Sequence, residues 1–251
     1  MALLEARSLV KNFGRRRVVD GVDFTVNAGE VVGLLGSNGA GKTTSFRMVT
    51  GLIKPNSGQV FLAGTDVTYW PMYRRARLGM GYLSQETSVF RKLTVEENLL
   101  AILETKPVPA GEHPGRYRRA VSDNLLDQFG LIHLKKNMAM SLSGGERRRL
   151  EIARCLVTDP ALILLDEPFT GIDPKTIADI QDIVRALRNE GIGVLLTDHN
   201  VAETLRITDR AYVVWQGKVI AHGPPEQIVH DEHVIQVYLG RNFQGPNTSA
   251  A

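Results

Sequence analysis

The sequence predicts an α/β fold with a mostly parallel core sheet, an N-terminal antiparallel β subdomain and a helical subdomain. Three observations predict it. Apolar runs at residues 31–35, 161–165 and 193–196 read as fully buried strands. Helical patterns follow the first two runs, and strand–helix alternation implies a parallel sheet covered by helices. The first third instead carries β-like runs at residues 3–10, 18–26 and 59–62. Turn signals at Asn27-Ala28-Gly29 and Pro55-Asn56-Ser57-Gly58 bound these runs, as in an antiparallel sheet.

Each element has a local reason. Residues 31–35 feed a glycine-rich loop and a helix over 43–50, and residues 81–83 add a short strand. Thr94-Val95-Glu96-Glu97 is a capping box that starts a helix. Pro107, Pro109, Gly111, Pro114 and Gly115 then predict a surface loop, with helix resuming over 116–129. Asp173-Pro174 supplies an N-cap and a first-turn proline to another helix. The expected organisation is one domain over residues 1–243, its helical subdomain at about 87–158, and a flexible polar tail at 244–251.

Composition bounds the function classes. With 251 residues, 43% of them hydrophobic and 23% charged, the chain is neither disordered nor a disulfide-rich miniprotein. A net charge of +3 does not argue for nucleic acid. The apolar run at residues 31–36 falls well short of the about 20 residues a membrane span needs. The start, Met1-Ala2-Leu3-Leu4-Glu5, develops no secretory pattern. Cys155 is the one cysteine, so no disulfide closes within the chain. A soluble intracellular protein is expected. The arginine clusters at 15–17, 74–77, 116–119 and 147–149 are expected to be solvated faces, the last facing solvent or neighbouring acids.

Gly36-Ser37-Asn38-Gly39-Ala40-Gly41-Lys42-Thr43 has the spacing of a nucleoside-triphosphate phosphate loop. Its glycines let backbone N–H groups wrap around phosphate oxygens, and the helix beginning at Lys42 adds its positive end. Lys42 is placed to reach the β- and γ-phosphates, Thr43 to ligate Mg²⁺, and Thr44 to add a hydroxyl contact. The apolar strand 162–165 ends in Asp166-Glu167. If that strand runs parallel to the first, Asp166 lies beside the phosphate loop, where it can hold Mg²⁺ through water, and Glu167 can act as general base. Leu142-Ser143-Gly144-Gly145-Glu146 is a second capping box with a bare, glycine-flanked helix start, suited to facing an anion.

These three motifs, in their order and spacing along the chain, resemble the nucleotide-binding subunits of ABC transporters over nearly the whole chain. The resemblance implies a P-loop ABC cassette that works as a head-to-tail homodimer. Each ATP would lie between one subunit's phosphate loop and its partner's signature, Ser143, Gly144, Gly145 and Glu146. It further implies that Phe13 stacks on adenine and that Gln85 senses Mg²⁺ and the γ-phosphate. Asp173 would lie at the dimer interface, and His199 would contact the γ-phosphate. Phe90, Arg91, Leu93 and Val95 would line a groove for a coupling helix of integral membrane subunits.

The stretches 79–98, 197–201, 220–223 and 231–240 are similar to the lipopolysaccharide-export branch of the family. Ser84, where a proline is usual, and residues 106–115 depart from it. This reading places the protein on the cytoplasmic face of the inner membrane, with no insertion of its own. A branched-chain amino acid importer subunit is the alternative. A soluble ABC ATPase acting on nucleic acid or ribosomes ranks below both, since no long heptad run or second cassette is present.

Overall fold

A computed structural model of the chain describes residues 2–240, 243 and 245. Apart from Gly245, the expected tail at 244–251 lies outside the described residues. By their contacts the residues form two compact units, one of Met1–Gln85 with Ala161–Ala251, the other Glu86–Pro160.

The first unit is built on two sheets. Leu4–Phe13 (β1) and Arg16–Val26 (β2) pair antiparallel through the hairpin that closes at Phe13 opposite Arg16. Val31–Leu35 (β3) is buried at every position, as a strand covered on both faces must be. Lys42–Thr50 (α1) follows it. Ser57–Leu62 (β4) and Thr65–Asp66 (β5) complete a four-stranded antiparallel sheet in the order β2-β1-β4-β5. The predicted turn at 55–58 is thus shorter: Ser57 and Gly58 already belong to β4.

Met72–Arg77 (α2), Met80–Leu83 (β6), Leu162–Asp166 (β7), Pro174–Asn189 (α6), Gly193–Thr197 (β8), Val201–Leu205 (α7), Arg210–Trp215 (β9), Lys218–Gly223 (β10), Pro225–His230 (α8), Glu232–Val234 (α9) and a last helical turn at Ile235–Leu239 make the rest of this unit. Its second sheet runs β10-β9-β3-β8-β7-β6, parallel throughout except for β10 at the edge. The strand ending in Asp166 runs parallel to β3, as expected, with β8 between them. Phe24, Phe46, Met48, Val60 and Leu162 pack in one core that joins the antiparallel sheet, α1 and the parallel sheet.

Arg75 corrects the reading of the arginine clusters. It is 1% exposed, and its guanidinium donates to the carbonyls of Met48, Val49, Thr68 and Trp70 at 2.7–3.0 Å. Two of those carbonyls close the last turn of α1, so Arg75 holds α2 against it. Burial pulls its pKa down to about 10.

In the second unit, Val95–Leu103 (α3), Pro114–Gln128 (α4) and Gly144–Leu156 (α5) pack on one another. Both predicted capping boxes are formed, Thr94 with Glu97 and Ser143 with Glu146. The loop before α4 is shorter than predicted. Pro114 and Gly115 are the helix's first residues, since a proline lacking an N–H is tolerated in the first turn. Arg148 is also withdrawn from solvent: it is 8% exposed and faces a neighbouring acid, the buried Glu151, at 3.0 Å. Among the described residues no helix is long and apolar enough to cross a membrane.

Candidate functional site: a phosphate loop and a carboxylate cluster

The phosphate loop leaves β3 and enters α1 through two glycines that nothing else replaces. Gly36 has φ 146°, and a Cβ there would meet the Val214 carbonyl at 2.1 Å. Gly41 has φ 109°, and a Cβ would meet the Val18 carbonyl at 2.7 Å. Gly217 N–H donates to the Ala40 carbonyl at 2.8 Å, which ties the loop to the β9–β10 turn. As N-cap of α1, Gly41 offers no side-chain acceptor, and the first turn holds no acid. The opening N–H groups are therefore left for an anion.

Lys42 is 8% exposed and bends back over the loop. Its ammonium donates to the Gly36 carbonyl and, at 2.9 Å, to the Ser37 carbonyl. An ammonium has three donors, so one N–H remains for a phosphate. Burial lowers the Lys42 pKa, and the charges of Glu167 and Asp198 work against that shift.

An open recess of about 280 Å³ lies against this loop, lined by Ser37, Asn38, Gly39, Ala40, Arg16, Arg17, Val18, Trp215 and Gln216. Sequence reasoning missed Trp215 and Gln216; Arg16 and Arg17 are exposed, as expected, and also line this recess. No local signal marks these residues, because the β1–β2 hairpin and the β9–β10 turn meet only in three dimensions. Phe13, the expected base-stacking residue, is not in this lining. It is 50% exposed opposite Arg16, with the Lys11 ammonium 5.4 Å from its ring centre.

The parallel sheet gathers the remaining first-unit residues at the ends of β6, β7 and β8. Asp166 ends β7 at 3% exposure, with the Tyr82 hydroxyl donating to it at 3.4 Å. Glu167 follows with φ 48°, a left-handed conformation that costs a non-glycine residue about 1–3 kcal/mol. Its carboxylate Oε2 accepts from Gln85 Nε2 at 2.9 Å and from the Thr170 hydroxyl at 3.0 Å. His199 Nδ1 is 3.5 Å from the same oxygen and 3.3 Å from the Thr170 hydroxyl. Asp198, fully buried, accepts from the Phe169 and Asn200 N–H groups at 2.8 Å each and so holds both loops. Burial raises its pKa. Gln85, Glu167 and His199 thus come together, although they lie far apart in sequence. Thr170 and Asp198 join them unpredicted.

Thr43, Asp166 and Gln85 present hard oxygen donors, the kind Mg²⁺ takes. Gln85 uses its amide N–H on Glu167, which leaves the amide oxygen free. Among the described residues no group of three His, Cys, Asp or Glu forms a protein cage for a metal. One carboxylate and one hydroxyl fit an ion that keeps waters and shares phosphate oxygens.

The second unit carries the signature and the expected partner surface. Ser143 Oγ accepts from Glu146 N–H at 3.3 Å, and Glu146 answers by accepting from Ser143 N–H at 2.8 Å. That backbone bond lowers the Glu146 pKa. Ser143 and Gly144 are exposed, and Gly145 is half-buried. The segment before α3 is pinned by Asn98, which exchanges hydrogen bonds with Phe90, and by Glu151, which accepts from Ser88 N–H. Phe90 is 43% exposed, with the Arg154 guanidinium 4.4 Å from its ring centre. Arg91 is exposed and Leu93 half-buried. Val95 is 0% exposed, so it belongs to the core and leaves the candidate groove. Met138 and Met140, 40% and 57% exposed, flank that segment, since the Ala139 and Met140 N–H groups donate to the Leu93 and Arg91 carbonyls. Asp173 spends its carboxylate on capping α6, accepting from Thr176 N–H at 3.0 Å.

With this geometry in view, similarity decides the family. The chain matches the family described as ABC transporter over residues 19–170, more than half of its length. It belongs to the ABC transporter ATP-binding family. The cassette is 51% identical to the lipopolysaccharide export system ATP-binding protein LptB of Haemophilus influenzae, over 97% of this chain and 100% of that protein. It is 55% identical to an uncharacterized ABC transporter ATP-binding protein of Rhizobium meliloti, over 96% of this chain and 87% of that protein. Residues 218–244 also match the branched-chain amino acid ATP-binding cassette transporter family. Among solved structures, the ADP conformation of the cassette MJ1267 superposes with a TM-score of 0.83 at 31% identity, covering 96% of this chain and 99% of that one. A dimeric, post-hydrolysis cassette, MJ0796 with ADP and phosphate, gives 0.75 at 25% identity, covering 88% and 98%. The cassette fold and the ATPase assignment follow, as does the role of ATP-binding subunit in a transporter. Subunits of this family dimerise and work with membrane subunits.

Proposed function

We propose that this cassette hydrolyses ATP to drive lipopolysaccharide out of the inner membrane toward the outer membrane. The end-to-end similarity to LptB of Haemophilus influenzae carries this reading. The cassette acts as a homodimer on the cytoplasmic face. Lys42, the loop N–H groups and the hydroxyls of Thr43 and Thr44 hold the triphosphate. Phe13 and Trp215 flank the base and ribose. Glu167 takes a proton from water as its oxygen attacks the γ-phosphorus; the bond to the bridging oxygen breaks, leaving ADP and phosphate. Thr43, Asp166 and Gln85 would hold Mg²⁺, which would supply charge neutralisation on the phosphates. His199 steadies the γ-phosphate. Ser143, Gly144, Gly145 and Glu146 of a second copy complete the site, with Asp173 near that contact. Phe90, Arg91 and Leu93 receive the coupling helix of a membrane subunit, Met138 and Met140 extending the apolar wall.

The match at residues 218–244 favours a second reading, a branched-chain amino acid importer subunit. Affinity isolation of the tagged full chain from membranes separates the two. Integral subunits whose loss stops lipopolysaccharide from reaching the outer membrane are expected. Amino-acid permease subunits in their place would overturn the export reading.

A further inference from the structure

The carboxylate of Glu167 is loaded unevenly. Oε2 takes two hydrogen bonds, from Gln85 Nε2 at 2.9 Å and from the Thr170 hydroxyl at 3.0 Å, with His199 Nδ1 at 3.5 Å. Among the described residues, Oε1 takes none. A hydroxyl has a single proton. Because Thr170 gives that proton to a carboxylate, which only accepts, its contact with His199 Nδ1 at 3.3 Å requires the proton there to sit on the histidine, and Asp198 Oδ1, 3.5 Å from the same nitrogen, also favours a proton on Nδ1. The order is then His199 Nδ1–H to Thr170 Oγ1, and Thr170 O–H to Glu167 Oε2.

The backbone builds this arrangement. Glu167 N–H donates to the Thr197 carbonyl at 2.7 Å and Thr170 N–H to the Glu167 carbonyl at 3.3 Å. The resulting turn brings the Thr170 hydroxyl back over the carboxylate it follows by three residues. Asp198 fixes the other side, accepting from Phe169 and Asn200 N–H groups on either side of the relay.

We propose that Thr170 is a positioning residue for hydrolysis: its hydroxyl links His199 to Glu167 Oε2 and leaves Oε1 as the oxygen that takes the proton from water. The proposal rests on Glu167 being the general base. Gln85 and Thr170 together hold the carboxylate plane, so losing one of two charge-assisted bonds lets it rotate away from the attacking geometry.

The test is steady-state ATP hydrolysis by the full chain carrying Thr170→Val, which keeps the shape and removes the hydroxyl. A fall in kcat of about tenfold or more is expected, since hydrogen bonds to charged groups carry that much. KM for ATP should stay within about twofold, because Thr170 lies outside the phosphate loop. Thr170→Ser should restore kcat to within about threefold of wild type. Thr170→Ala against Thr170→Ser gives the same comparison if the valine variant folds poorly. Wild-type kcat in Thr170→Val, a serine variant as slow as the valine one, or a loss confined to KM would each overturn the proposal. Glu167→Gln is measured alongside. If it too turns over like wild type, the base assignment itself has failed; if it is inactive while Thr170→Val is not, only the relay has failed.

Discussion

Glu167 concentrates the chemistry and shows its cost in the backbone. A left-handed φ of 48° at a non-glycine residue persists only where neighbours hold it, and here Thr197, Thr170 and Gln85 do. Replacing the carboxylate with an amide should leave ATP binding intact and lower kcat by about 10²–10⁴, the range of a lost general base. Nucleotide titration and single-turnover hydrolysis of Glu167→Gln check it, and a change of less than threefold in rate contradicts the role. Lys42→Ala should weaken ATP binding at least tenfold, read by isothermal titration. Arg75 makes a structural prediction instead. Arg75→Met would leave the carbonyls of Met48, Val49, Thr68 and Trp70 without that donor inside the protein. A loss of about 3 kcal/mol is expected in chemical denaturation, in the range of a broken buried polar network.

At the scale of elements, helix starts do two jobs. The N-terminus of α1 follows Gly41 and has no side-chain cap, so its opening N–H groups are left open to an anion. The N-terminus of α5 has a formed Ser143–Glu146 box and is exposed. Capping alone predicts a cost of about 1 kcal/mol for Ser143→Ala. If that serine also meets ATP on a second copy, the variant should lose ATP-dependent dimerisation by far more than its stability changes. Light scattering of the variant with ATP, in a Glu167→Gln background, separates the two. Dimerisation equal to that of the background protein would leave Ser143 as a cap only. The strands were legible where burial was continuous, as in β3, β7 and β8. β9 and β10 were not assigned, because residues 210–223 mix apolar, aromatic and charged side chains and give no clean period of two. α2 was also unassigned. It is held by Arg75, a charged residue in a core position, which sequence patterning scores as surface.

For the whole molecule, the proposed attachment to a membrane partner would fall on the segment from Ser88 to Leu93, which is braced by Asn98, Glu151 and Arg154. Phe90→Ala should reduce co-isolated membrane subunits at least tenfold, as expected of an aromatic anchor, with little change in thermal midpoint because Phe90 is 43% exposed. Recovery equal to wild type would move the contact elsewhere. The sequence by itself determined the phosphate loop, the Asp166-Glu167 strand end and both capping boxes, because each depends on neighbours within a few residues. The tertiary structure decided the rest. It put β8 between β3 and β7, withdrew Val95 into the core, and brought Trp215, Arg16 and Arg17 to the phosphate loop. It also set Thr170 between Glu167 and His199. Local hydrogen bonding and capping are written in short spacings, whereas strand order and the meeting of distant loops are set by the burial of the whole core.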